Sequence, residues 1–211
     1  MKKLIVIGAG GHAKVLVDAL LAQSSAIIGL TDSDPAKTGK MILGVTVMGD
    51  DGVLNVHAPD VVVLVNGIGS VTRPHLRRKV FDSLKAGGYT FASVRHPSAI
   101  VSAHAQLGEG VQAMAGSVIQ AGCVIGANTI INTNASVDHD CKVGAHVHIA
   151  PGATLSGGVE IGENVHVGAG ATILQNVRVG NGSVIAAGAV VIDDVPANLT
   201  VFGTPARSKA K

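Results

Sequence analysis

Aromatic side chains are almost missing from this chain: its 211 residues include no Trp, one Tyr and three Phe. That scarcity rules out a core of stacked rings and leaves too few of them to hold the bases of a single-stranded nucleic acid. Charge is sparse too. Charged residues make up 14% of the chain, the formal net charge is +2, and no run of Lys or Arg marks a nucleic-acid face. With only two cysteines, Cys123 and Cys141, the chain is no disulfide scaffold. Both read as small buried residues kept reduced, with a disulfide as the alternative. No apolar stretch approaches the ~20 residues of a membrane span. The run Leu4–Ile7 after Met1-Lys2-Lys3 is broken by Gly8-Ala9-Gly10-Gly11-His12, so it reads as a strand rather than a signal peptide. The expectation is a soluble cytoplasmic protein with no nucleic-acid partner and no membrane insertion.

What the chain does have is aliphatic residues and 28 glycines, and the aliphatics are in strict order. From Val101, every sixth residue is Ile, Leu or Val with the single exception of Ala113: Val101, Leu107, Ala113, Ile119, Ile125, Ile131, Val137, Val143, Ile149, Leu155, Ile161, Val167, Ile173, Val179, Ile185 and Val191. A period of six fits neither an amphipathic helix nor a hairpin. It is the hexapeptide repeat of a parallel β-helix, in which each repeat lays one short strand and turns a corner. Four residues after each anchor stands a second column of small or β-branched residues, Cys123, Thr129, Ala135, Cys141 and Val147 among them. Phe81, Tyr89, Phe91 and Phe202 all lie outside residues 101–191, so no wide side chain enters a narrow prism.

Before residue 95 the pattern differs. Lys3–Ile7, Ala26–Leu30, Val45–Met48, Val61–Val65 and Thr90–Val94 read as strands. Gly11 to about Gln23 reads as a helix with Val15, Leu16, Ala19 and Leu20 on its apolar face, and Thr72–Ala86 as a second helix. The alternation implies a small open α/β sheet, about half the size of a full dinucleotide-binding domain. The expected architecture is therefore α/β + β: a Rossmann-like domain over 1–95, then a β-helix and a covering tail over 96–211. A solenoid needs capped ends, and the α/β domain and the tail are placed to supply them.

Two constellations carry chemistry. Gly8-Ala9-Gly10-Gly11-His12-Ala13 follows a strand and opens a helix, where glycines let the backbone approach a phosphate and the helix N-terminus favours its charge. Asp32 closes the second strand, where a ribose-binding acid would sit. Nucleotide-sugar binding, NAD binding and a purely structural turn all remain open from these residues alone. In Val137-Asp138-His139-Asp140-Cys141, the flanking Val137 and Cys141 face inward, which puts His139 and Asp140 on the outer surface. An imidazole beside a carboxylate can act as a general base, although a lone surface histidine is more often just solvated. Asn132 and Asn134, one hexad earlier, are placed to position a polar substrate. His148 is expected at the wall of a substrate cleft and His166 on the surface. No Cys or Glu completes a ligand set with His146, His148 and His166, so no metal is expected. Gly157-Gly158 exposes backbone amides at a corner, either to hold an oxyanion or simply to turn.

Three segments resemble the bacterial sugar O-/N-acyltransferases of the sialic acid O-acetyltransferase type: Val6-Ile7-Gly8-Ala9-Gly10-Gly11-His12-Ala13-Lys14, Asn132-Thr133-Asn134-Ala135-Ser136-Val137-Asp138-His139-Asp140-Cys141 and Phe202-Gly203-Thr204-Pro205-Ala206. The chain is especially similar to the members that acetylate a nucleotide-linked 4-amino-4,6-dideoxy sugar. The resemblance implies a left-handed β-helix that forms a homotrimer, with acetyl-CoA in the groove between neighbouring subunits. It implies that His139 is the base and that Asp140, where the family often has Glu, orients it. Gly157 is implied as a donor near the thioester carbonyl. Gly10, Gly11, His12, Thr31, Asp32 and Gly69 fall at nucleotide-sugar positions, with Thr31 standing where an Asp is usual. Asn132 falls near the sugar, and His148, Ala169 and Ala187 fall at acetyl-CoA positions. UDP is the expected carrier ahead of GDP and dTDP. O-acetylation of sialic acid or another sugar hydroxyl is the alternative reaction. Lys142, Arg178, Arg207 and Lys209 are the cations available for CoA phosphates.

Overall fold

The computed structural model describes residues 3–70 and 74–208. The chain divides into two compact units, Met1–Pro97 and Ser98–Lys211.

The first unit is an α/β sheet built from β1 (Lys3–Ile7), α1 (Gly11–Leu21), β2 (Ile27–Thr31), β3 (Met41–Ile42), β4 (Val45–Gly49), β5 (Val62–Asn66) and α2 (Pro74–Ala86). The strand order is β3-β4-β2-β1-β5. All neighbours are parallel except β3 and β4, which form a short hairpin absent from the sequence reading. The buried side of α1 is Ala13, Leu16, Val17, Ala19 and Leu20. Val15, expected inside, is 44% exposed, because the buried set 13-16-17-20 is the i, i+3, i+4, i+7 stripe and Val15 lies to one side of it. The expected start of the second helix at Thr72 lies outside the described residues. The expected last strand reduces to one bridge from Phe91 to Leu64 and a two-residue strand, Val94–Arg95. Phe91 instead stacks on Phe81 with ring centroids 4.4 Å apart.

Pairing within this sheet aligns the ends of four strands. Ile7 lies opposite Thr31 and Asn66, and Thr31 lies opposite Gly49. The loops that follow therefore stand side by side along the carboxyl edge, the usual ligand edge of an open α/β sheet.

The second unit is a three-sided parallel β-helix. Two-residue strands recur every six residues, and each pairs in register with the strand eighteen residues on: Ser136–Val137 lies between Val118–Ile119 and Thr154–Leu155. The anchors fill the interior from Ile119 to Val191, whereas Leu107, on the first coil, is 36% exposed. The corner residue three after each anchor takes positive φ throughout, from Gly110 to Gly188, and is Gly, Asn, Asp140 or His146. Only residues tolerant of the left-handed region suit that position. The tail adds Thr200–Phe202 in parallel beside Val184–Ile185 and turns back as Arg207–Ser208. Val201 is buried at the end of the tube and Phe202 is 46% exposed.

Candidate functional site

The carboxyl edge of the sheet in the first unit holds a cavity of about 710 Å³ lined by the Gly8–His12 loop, Asp32, Ser33, Lys37, Asp51, Gly67, Ile68, Gly69, Leu76 and Val80. Gly8 turns the chain at φ +95°, and a Cβ added at Gly10 or Gly11 would meet nothing within 4 Å. The fold itself thus makes no demand for glycine at those two positions, and the space they leave belongs to the cavity. Gly10 caps α1 with no side chain, which leaves the amides of the first turn facing the opening. Arg77, buried under the far wall, donates to the carbonyls of Asn66 and Ile68 at 2.8 Å each and so fixes the loop that carries Gly69. Burial pulls this guanidinium down to about 9.

Asp32 is a strut across the cavity floor. It accepts from the Ala9 amide at 2.9 Å, the Asp34 amide at 3.0 Å and Lys37 Nζ at 2.8 Å. Burial works to raise its pKa, but the hydrogen bonds from Lys37, Asp34 and Ala9 outweigh it and hold the carboxyl below the usual range. Thr31 is fully buried and does not line the cavity. Its hydroxyl donates to Asp51 Oδ1 at 2.6 Å, so it reaches the opening only through Asp51. Lys37 and Asp51 were missed from sequence. The one readable signal was an acidic pair, Asp50-Asp51, following a strand as Asp32 does.

The second constellation sits on successive turns of the β-helix. His139 and Asp140 are exposed, with side chains 57% and 72% accessible. Nδ1 of His139 is 2.9 Å from Asp140 Oδ2. That contact places the ring proton on Nδ1 and leaves Nε2 with its lone pair. The hydrogen bond that Nδ1–H donates to Asp140 raises the imidazole pKa above its ordinary value, with the charges of Asp138 and Asp140 adding to it. One coil further on, Gly157 is the seat of the ring: a Cβ there would stand 2.6 Å from both Nε2 and Cε1. The Gly158 amide donates to the His139 carbonyl at 2.9 Å and the Asn176 amide to the Gly157 carbonyl at 3.1 Å, while the Gly157 amide has no acceptor among the described residues. The free, buried thiols of Cys123 and Cys141 brace both turns from inside, 3.0 Å from the Asp138 carbonyl and 3.1 Å from the Ser156 carbonyl.

Asn132 and His148 are joined, Nδ2 to Nε2, at 3.0 Å. His148 is 4% exposed and meets His166 edge-on at 5.1 Å. His166, expected on the surface, is half-buried, and its Nδ1 has no partner among the described residues. The neighbouring imidazole one coil away covers it, and burial lowers its pKa. Asn134 is exposed at a left-handed corner. Ala169 and Ala187 are exposed at equivalent turns of adjacent coils. Of the expected phosphate-binding cations, Lys142 and Arg178 both pair with Glu160, at 3.1 and 3.3 Å, and Arg207 pairs with Asp193 at 3.6 Å. Lys209 lies outside the described residues. Among the described residues no three His, Cys, Asp or Glu side chains converge to hold a metal ion, and no helix is long and apolar enough to cross a membrane.

With both constellations located, comparison with known proteins is decisive. The PglD N-terminal domain matches residues 3–84, and the bacterial transferase hexapeptide (six repeats) matches residues 104–138, 122–157 and 158–193. The acetyltransferase domain of PglB from Neisseria gonorrhoeae is 38% identical, with 99% of this chain and 100% of that one covered at a TM-score of 0.91. The chain belongs to the bacterial sugar acetyltransferases of the hexapeptide-repeat family. A histidine variant of the GDP-perosamine N-acetyltransferase of Caulobacter crescentus, solved with CoA and GDP-perosamine, is 38% identical over 100% of this chain and 98% of that one, at a TM-score of 0.92. WeeI from Acinetobacter baumannii is 25% identical over 99% of this chain and 100% of its own, at a TM-score of 0.81. A search of curated proteins found no match. Membership in this sugar acetyltransferase family joins the two constellations into one enzyme: a hexapeptide transferase with a PglD-type domain ahead of it.

Proposed function

We propose that this enzyme moves the acetyl group of acetyl-CoA onto the 4-amino group of a nucleotide-linked 4-amino-4,6-dideoxy sugar. The observation that carries the reading is the His139 ring, fixed at Nδ1 by Asp140 and seated at Nε2 over Gly157. Its similarity to a GDP-perosamine N-acetyltransferase and to the PglB acetyltransferase domain supports the choice of an amine acceptor.

A sugar ammonium has no lone pair with which to attack. His139 Nε2 takes its proton, and Asp140 holds the tautomer and stabilises the imidazolium that forms. Acetyl-CoA supplies an acyl carbon already activated as a thioester. The Gly157 N–H is the donor for negative charge developing on the acyl oxygen. The imidazolium then returns that proton to the departing thiolate, the amide nitrogen gives up its second proton to solvent, and no covalent acyl-enzyme is needed. The glycine loop, His12 and Gly69 are assigned to the nucleotide sugar, and Asn132 to its sugar ring. The pantetheine arm, rich in amides, suits a path along Ala169 and Ala187, whose small side chains leave room and whose amides have no acceptor among the described residues. His148 flanks that path. Because His139 and Asp140 are so exposed in a single chain, the reading includes a homotrimer whose neighbouring subunit closes the groove over them. Light scattering of the purified protein measures that state.

The test is turnover by His139→Ala. Loss of a general base lowers kcat by about 10²–10⁴, and wild-type turnover in the variant removes His139 from the mechanism. Acetylation of sialic acid in place of the amino sugar would move the acceptor from an amine to a hydroxyl.

A further inference from the structure

Among the described residues, the cavity of the first unit carries carboxylates on one side only. The Gly8–Gly11 loop and the start of α1 mark where a diphosphate sits. From there a nucleoside can run along the carboxyl edge toward β5 or across β2 toward β4. On the β5 side the described lining side chains are His12, against Gly69, and the apolar Ile68, Leu76 and Val80, none of them a carboxylate. On the other side stand Asp32, Ser33, Lys37 and Asp51.

Of the two carboxylates, Asp32 is committed on both oxygens, to the Ala9 and Asp34 amides and to Lys37. Asp51 is not. Its Oδ1 is anchored from behind by the buried Thr31 hydroxyl at 2.6 Å, and its Oδ2 accepts nothing from the described residues. It follows β4, the strand beyond β2 as counted from the glycine loop. The order along the edge is therefore diphosphate, ribose, base, with a fixed and half-vacant carboxylate at the base position.

A carboxylate is selective among bases. Guanine presents two adjacent donors, N1–H and the N2 amine, which match its two oxygens. Uracil and thymine present one N–H between two carbonyl oxygens, which a carboxylate repels. We propose that Asp51 reads the base of the carrier nucleotide and that the carrier is guanosine diphosphate, in place of the UDP expected from resemblance. The inference rests on the reading of this cavity as a nucleotide-sugar site.

Calorimetric titration of the full chain with GDP, IDP and UDP tests it. IDP differs from GDP by the 2-amino group alone, and a charge-assisted hydrogen bond lost from a built site weakens binding about tenfold or more. GDP is expected to bind about tenfold or more tighter than either. Asp51→Ala is expected to bring GDP to the IDP level, and Thr31→Val to weaken GDP by a smaller factor. UDP binding as tightly as GDP, or IDP matching GDP, overturns the proposal. So does a preference for GDP that survives Asp51→Ala. The wild-type comparison alone decides the base if the variant does not fold. Binding of none of the three nucleotides would overturn the nucleotide-sugar reading itself.

Discussion

Gly157→Ala isolates the seat of the imidazole from everything else the turn does. The backbone of Gly157 lies outside the left-handed region, so alanine suits it and the fold survives. The new methyl carbon, however, would stand 2.6 Å from Nε2 and Cε1 of His139, against the ~3.5–4.0 Å of an ordinary contact. The ring must withdraw by about 1 Å, and a displacement of that size in a reacting group costs about 10²-fold in rate. Alanine keeps the amide N–H, so the loss reports the position of His139 and not the removal of an oxyanion donor. The assay is thiol release from acetyl-CoA at saturating amino-sugar nucleotide, with thermal melting as the control for folding. We expect kcat to fall about 10²-fold with only a small change in Tm. We also expect Gly157→Ala to cost little more when His139 is already alanine, since both changes remove the same base. Near-wild-type kcat in the single variant, or the full 10²-fold loss repeated on the His139→Ala background, would refute the reasoning.

Other outcomes follow from the same geometry. The raised pKa of His139 means that the neutral base is lost as pH falls through a value above its ordinary ~6.5. Asp140→Asn removes the charge that raises it, so the acid limb of kcat/KM should move to lower pH while kcat drops; an unmoved limb assigns that titration to another group. Ser117 Oγ is buried without a partner among the described residues, whereas Ser183 Oγ donates to the Pro196 carbonyl at 2.8 Å. In urea denaturation Ser117→Ala should therefore be neutral or stabilising, and Ser183→Ala should destabilise by about 1 kcal/mol. Burial lowers the pKa of His166 in the folded state. The unfolded chain then binds the extra proton below about 6.5, and stability is lost as pH falls from that value toward the folded pKa. His166→Asn should flatten that part of the stability profile, and an unchanged slope would place the titration elsewhere.

The β-helix was legible because each strand contributes a single inward anchor, so the period survives in the sequence without tertiary help. The surface position of His139 followed from Val137 and Cys141 on either side of it. The left-handed corners were not read, although Asn128, Asn134, Asp140 and His146 at one frame position signal them; Asp140 thus meets a backbone demand as well as orienting His139. What sequence could not show depends on neighbours far along the chain. His148 and His166 occupy outward positions yet are covered, because residues eighteen apart lie side by side on adjacent coils. Asp51 escaped notice because β2 pairs with β4 across the β3–β4 hairpin, which brings it against Thr31 twenty residues earlier. Val15 and Val17 differ only by a rotation of α1, and a short helix rich in Ala, Val and Leu leaves that rotation undetermined until the sheet is in place.

The central claim is an acetyl transfer from CoA to nitrogen, and product analysis tests it most directly. The purified protein is incubated with acetyl-CoA and a GDP- or UDP-linked 4-amino-4,6-dideoxy sugar, and the nucleotide sugar is examined by mass spectrometry and NMR. The account predicts one added acetyl group, in amide linkage at the 4-position, formed by the wild type and almost absent with His139→Ala. Acetylation confined to a hydroxyl, or an unmodified sugar beside a well-folded protein, would contradict it.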